Sequence, residues 1–146
     1  PEDLKIEIGK AYRVREGKDV TIAVTGAPLS AALNAADILK EEGIEAEILD
    51  YITVKPFDRN ALLESVAKTG LLVTVEEHSI CGGLGSSAAE TLGEGFPVPM
   101  KRIGMEDCFG ESGPYALLLE KYGISTDNIV KQAKRLLGMK GERTIL

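Results

Sequence analysis

Short β-branched apolar runs alternate along this chain with longer stretches whose apolar residues recur at helical spacing. DVTIAVTG (19–26) reads as a buried strand closed by glycine. APLSAALNAADILKEEG (27–43) follows with Leu29, Ala32, Leu33, Ala36 and Leu39 on one face, Pro28 near its start and Gly43 at its end. EAEILDY (45–51) is the next strand. KPFDRNALLESVAKTG (55–70) holds a helix capped by Asp58, with Leu62, Leu63, Val66 and Ala67 turned inward. LLVTVEE (71–77) and VPMKRIGM (98–105) are strands on either side of a short helix in SSAAETLGEG (86–95). ESGPYALLLEKYG (111–123) predicts a helix from about Pro114. STDNIVKQAKRLLG (125–138) predicts the last, with Ser125 or Thr126 as cap, Gly138 as stop, and Ile129, Val130, Ala133, Leu136 and Leu137 on one stripe. The weakly alternating LKIEIGKAYRVREG (4–17) reads as an added strand or arm, and GERTIL as a tail.

Such alternation leaves few architectures. Each strand–helix–strand unit crosses over to a parallel neighbour, so the sheet is mostly parallel and covered by helices on both faces. A length of 146 residues suits one domain. The formal charge of −6 argues against nucleic acid, whose phosphates require a basic face. No apolar run approaches the roughly 18 residues of a bilayer span, and the acidic start PEDLKIE lacks the features of a signal peptide. Cys81 and Cys108 are the only cysteines and form no CxxC pair, so neither a disulfide scaffold nor a zinc site is indicated and a reducing, cytoplasmic setting is expected.

In open sheets, ligands bind beyond the carboxyl ends of the strands, and TVEEHSICGGLGSSAAE (74–90) lies at such an end. Gly82, Gly83, Gly85 and Ser86 make a candidate anion-binding loop, because free N–H groups at a helix start attract negative charge. The loop is neither GxGxxG nor a P-loop, and the alternative is a tight turn that needs glycine for a positive φ or for lack of a Cβ. His78 is the only histidine, so a His–His metal pair is impossible. Glu76 shares its strand face while Glu77 points the other way, which makes Glu76 and His78 candidates for acid–base work, or for an ordering hydrogen bond or an interface contact at a strand end. GLGSS is not the GxSxG elbow of a nucleophilic serine. Cys81, near a helix start, has no identifiable partner. Glu106, Asp107 and Glu111 surround CFGESG (108–113), as a solvated loop or a divalent-cation site. These pieces do not complete an active site.

The order of motifs carries more. VTVEEHSICGGLGSSAAETL (73–92) followed by FGESGPYALLLEKYGISTDNIVKQAKRLL (109–137) resembles the C-terminal domain of transketolases. So do GKDVTIAVTG (17–26), AADILKEEGI (35–44) and VKPFD (54–58). The resemblance covers nearly the whole chain; related families sharing the fold are deoxyxylulose-phosphate synthase and the β-chain of 2-oxo-acid dehydrogenase E1. It implies a three-layer α/β/α fold with a mixed, mostly parallel sheet of about five strands.

The resemblance also implies a thiamine-diphosphate enzyme, with magnesium, that transfers a two-carbon ketol unit between sugar phosphates. Diphosphate-binding and pyrimidine-binding domains, in the same chain or a separate subunit, hold the cofactor, and the full enzyme is a homo-oligomer, expected as a dimer. The family's GDG motif is missing here, so no catalytic, cofactor-binding or metal-binding residue is carried over; the matching glycine-loop positions are Gly82, Gly83, Gly85 and Ser86. On this reading, residues 1–18 form the arm from a preceding pyrimidine-binding domain, 19–138 the C-terminal domain and 139–146 a tail. Since Pro1 is not a translational start, the chain is expected to be an excised part of a longer protein, inactive alone, without bound cofactor and without nucleic-acid or membrane partners.

Overall fold

The computed structural model describes residues 5–143. One five-stranded sheet runs β1 (Ala11–Arg15), β3 (Ala46–Tyr51), β2 (Val20–Val24), β4 (Leu72–Ser79), β5 (Met100–Met105) in spatial order. Every pairing is parallel except β1 with β3, where Ala11 lies opposite Tyr51. The weakly alternating N-terminal segment is therefore an antiparallel edge strand, and the expected mixed, mostly parallel five-stranded sheet is present.

Period-2 alternation divides the core. Val20, Ile22, Val24, Ile48, Val73 and Val75 face α1 (Leu29–Glu41) and α5 (Thr126–Arg143). Ala23, Leu49, Tyr51 and Leu72 face α2 (Arg59–Thr69) and α3 (Leu84–Glu94). The helices form the two outer layers expected of crossover connections. The short α4 (Tyr115–Lys121) buries no residue fully. Asp58 caps α2 by accepting the Ala61 N–H at 3.2 Å, and Gly70 closes it at φ 73°. Ser125 Oγ accepts the Asn128 N–H at the start of α5.

Two expectations fail. Ala67 is exposed and Leu63 only half-buried; Ser65 and Thr69 point inward instead. The Thr21 hydroxyl, buried on the sheet, lies 2.6 Å from Ser65 Oγ and 2.7 Å from Thr69 Oγ1, and these bonds turn the helix toward its small polar side chains. Gly138 does not stop α5, which continues to Arg143. Glycine in a helix costs only about 1 kcal/mol against alanine, less than the burial of Ile129, Ala133 and Leu136 provides.

Beside the hydroxyl seam lies a buried charge. Glu47 is fully buried on β3, with Lys68 of α2 at one carboxylate oxygen and Arg13 Nε of β1 3.4 Å from the other. Burial pushes its pKa up, but the hydrogen bonds from Lys68 and Ser65 and the charges of Arg13 and Lys68 outweigh it, leaving the group below the ordinary carboxylate value. Glu47 thus ties the edge strand to the sheet and to α2.

Candidate functional site

Strand β4 runs past the core to Ser79 and carries Glu76, Glu77 and His78 to the carboxyl edge of the sheet. The chain then turns through Ile80–Gly83 into α3, where Gly83 is the N-cap. Glu76 points back at that helix start. Its side chain is fully buried, Oε2 accepting the Leu84 N–H at 2.7 Å and Oε1 the Gly85 N–H at 2.9 Å. His78 Nε2 lies 2.8 Å from the same Oε2, with the imidazole half-exposed. Helix-start amides and the helix dipole favour an anion here, and the anion they hold is the chain's own carboxylate.

The glycines divide the work. Gly82 has φ +78° with nothing near its would-be Cβ, so the left-handed backbone is its reason. At Gly83 a Cβ would overlap Glu76 Oε2 and lie 2.6 Å from His78 Nε2. At Gly85 it would lie 2.9 Å from Glu76 Oε1 and 2.7 Å from Arg102 Cδ. Gly104 on β5 leaves room from the other side, since a Cβ there would be 3.0 Å from Glu76 Cγ. Other groups of the turn bond within it as well. Ser86 Oγ accepts the Gly82 N–H at 2.9 Å and donates to the Ile80 carbonyl at 2.9 Å, which also accepts Arg102 Nη1 at 2.9 Å. The Cys81 N–H reaches Ser79 Oγ at 3.1 Å.

Glu76, His78, Gly82, Gly83, Gly85 and Ser86 therefore come together, as their proximity in the sequence suggested. Arg102 and Gly104 were missed; the only signal was their place in MKRIGM on the adjoining strand. Glu77 points away from Glu76, as the strand period requires, and accepts a hydrogen bond from Tyr115 Oη. That bond raises the Tyr115 pKa above its ordinary value, with burial and the Glu77 charge adding to it. Cys81 and Cys108 are both exposed free thiols. Of the acidic cluster, Glu111 pairs with Lys121 at 2.6 Å, and among the described residues no three His, Cys, Asp or Glu side chains converge as metal ligands.

Comparison with known proteins identifies the family. Residues 9–129 match the family model "Transketolase, C-terminal domain". The chain is 49% identical over 142 residues to the 6-deoxy-6-sulfo-D-fructose transketolase subunit SqwH of Clostridium sp. (strain MSTE9), covering 97% of this chain and 44% of that protein. It is 39% identical to the 1-deoxy-D-xylulose-5-phosphate synthase of Heliobacterium modesticaldum, covering 90% of this chain and 20% of the relative. A solved structure described as "Split gene transketolase, inactive beta4 tetramer" superposes with a TM-score of 0.89 at 46% identity, covering 94% of this chain and 45% of that one. The chain thus spans less than half the length of these relatives. With the family match extending from the turn before β1 into α5, the protein belongs to the transketolase C-terminal domain family.

Proposed function

We propose that this chain is the C-terminal domain of a transketolase-type enzyme that transfers a two-carbon ketol unit between sugar phosphates, and that it supports the enzyme's assembly without carrying out its chemistry. One observation carries the division of labour: the glycine-loop amides of Leu84 and Gly85 are occupied by Glu76. Thiamine diphosphate, which the family implies for the whole enzyme, supplies an electron sink for the carbanion left when the ketose carbon–carbon bond breaks. The residues of this chain do not fit it. A diphosphate brought to the loop would meet a like charge already holding the donors, and no described carboxylate group is arranged for its magnesium ion. Gly82, Gly83, Gly85 and Ser86 are on this reading an anion loop whose anion is internal. Glu76 and His78 shape the carboxyl edge of the sheet.

Cofactor and substrate then meet in the diphosphate-binding and pyrimidine-binding parts, with residues 1–18 as the arm toward them and the full enzyme a homo-oligomer. Two exposed free thiols support a reducing, cytoplasmic setting, and no described helix is long and apolar enough to cross a membrane. Two measurements test the proposal. Calorimetry of this chain with thiamine diphosphate and magnesium should give no binding heat, and a micromolar Kd would refute the division of labour. The full-length protein should transfer a ketol unit, with 6-deoxy-6-sulfo-D-fructose, named for the 49% identical relative, as the first donor to assay. Release of deoxyxylulose phosphate from pyruvate and glyceraldehyde phosphate would favour the synthase reading supported by the 39% identical relative.

A further inference from the structure

Strand β5 lies at one edge of the sheet, so one side of its backbone is open. In a parallel ladder, successive residues turn their N–H and C=O groups alternately toward the neighbouring strand and away from it. The Pro99 carbonyl accepts the Leu72 N–H at 3.1 Å, and the Met105 carbonyl accepts the Ile80 N–H at 3.0 Å. Pro99, Lys101, Ile103 and Met105 therefore face β4. Met100, Arg102 and Gly104 turn their backbone groups outward, where no group of the described residues bonds them. Such a row of open donors and acceptors is a template for one more strand.

A groove accompanies the row. Lys101 and Ile103 lie on the α5 side of the sheet, in register with Val73 and Val75. Between this strand and α5, Met100, Leu136 and Met139 line a cavity of about 330 Å³ together with Lys101 and Arg135. Neither cation pairs with a carboxylate among the described residues, although the chain carries a net charge of −6. Arg102, on the α3 side, is held by the Ile80 carbonyl. A second copy of β5 is a poor occupant of the edge. In the antiparallel register that pairs all three outward residues, Met100 meets Gly104 and Arg102 stands opposite Arg102, a like-charge pair. The chain itself enters at β1, the opposite edge, about 19 Å away across four strand spacings.

We propose that the β5 edge and its groove take up an extended acidic segment of a partner polypeptide as an added antiparallel strand. Antiparallel pairing makes the partner residues opposite Met100, Arg102 and Gly104 the hydrogen-bonded ones and sets them on the α3 side. Those opposite Lys101 and Ile103 fall on the α5 side, where acidic side chains meet Lys101 and Arg135. The recognised pattern is an alternation of acidic and apolar residues, in which main-chain bonds give affinity and the two cations give selectivity. A strand-accepting edge requires no ketol-transfer activity.

The test uses the full-length protein and a fluorescein-labelled octapeptide of alternating glutamate and valine, followed by fluorescence anisotropy. Binding should saturate with a Kd below about 100 μM at low salt. Raising salt from about 50 to about 300 mM should weaken it about tenfold or more. Replacing the valines by proline keeps every charge and removes the N–H groups that would bond β5, and should weaken binding by about tenfold or more. Arg135→Glu, at an exposed helix position, and Lys101→Glu should each do the same. No saturation by about 1 mM peptide overturns the proposal. Equal binding of the proline peptide leaves charge attraction without a strand and overturns it as well. Binding that neither substitution weakens puts the peptide elsewhere and has the same consequence. Arg135→Glu should leave the sedimentation velocity unchanged; a shift in oligomeric state assigns the edge to a contact between copies and overturns the proposal too.

Discussion

Replacing Gly83 with alanine isolates the capping geometry. The added Cβ would overlap Glu76 Oε2 and lie 2.6 Å from His78 Nε2. Glu76 cannot move without leaving the Leu84 and Gly85 amides, and it is buried with no solvent to receive it. A hydrogen bond to a charged group contributes about 1.5–3 kcal/mol, so loss of two costs about 3–6 kcal/mol. Two other glycines serve as controls for the same chemical change. Gly82→Ala meets no atom but keeps φ +78°, and should cost about 1–2 kcal/mol. Gly93→Ala, in the exposed last turn of α3 with nothing near its Cβ, should stabilise by about 0.5 kcal/mol. Urea unfolding of the three variants reads all of this: at about 1–3 kcal/mol per molar, Gly83→Ala lowers the midpoint by about 1 M or more. If Gly83→Ala costs no more than Gly82→Ala, the carboxylate is not what fills the turn.

Glu47→Gln should destabilise the domain by about 1–3 kcal/mol at pH 7 by removing a buried, hydrogen-bonded charge. Because the folded pKa of Glu47 lies below its ordinary 4.5, its ionic contribution is fully present above that value and is lost as pH falls through the lower folded value. The gap between wild type and variant in thermal melts should therefore close below about pH 4.5 and stay constant above it. Ser65→Ala should cost about 1 kcal/mol in urea unfolding through its bond to Thr21, whereas Ala67→Gln, on the exposed face of α2, should change stability by less than about 0.5 kcal/mol. Tyr115→Phe should remove the raised phenol titration from ultraviolet pH difference spectra and leave the unfolding midpoint within about 0.5 kcal/mol of wild type.

Those substitutions also separate what the sequence discloses from what it conceals. Strand and helix periods are local, so the alternation from Val20 to Ile103 and the Asp58 cap are legible in the sequence. The phase of α2 was not: Ala67 looks like a core residue and Ser65 like a surface one until Thr21, 44 positions away, supplies a partner. Gly138 looks like a stop because its propensity is local, while the burial that overrides it is tertiary. At the glycine loop the sequence indicated an anion-friendly turn but not its occupant. That occupant sits on the preceding strand, and its fit depends on Gly104 and Arg102 of the strand beyond.

The same fit limits how this domain can be recombined. Glu76, Gly83, Gly85, Arg102 and Gly104 occupy one small volume though they come from two strands and a helix start. A chimera that joins this β4 to a relative's α3 or β5 inherits half a lock, and strand-by-strand shuffling will select crossovers that fall outside residues 76–104. Those five positions behave as one heritable unit, and a laboratory library that varies them together will yield more folded proteins than one that varies them singly.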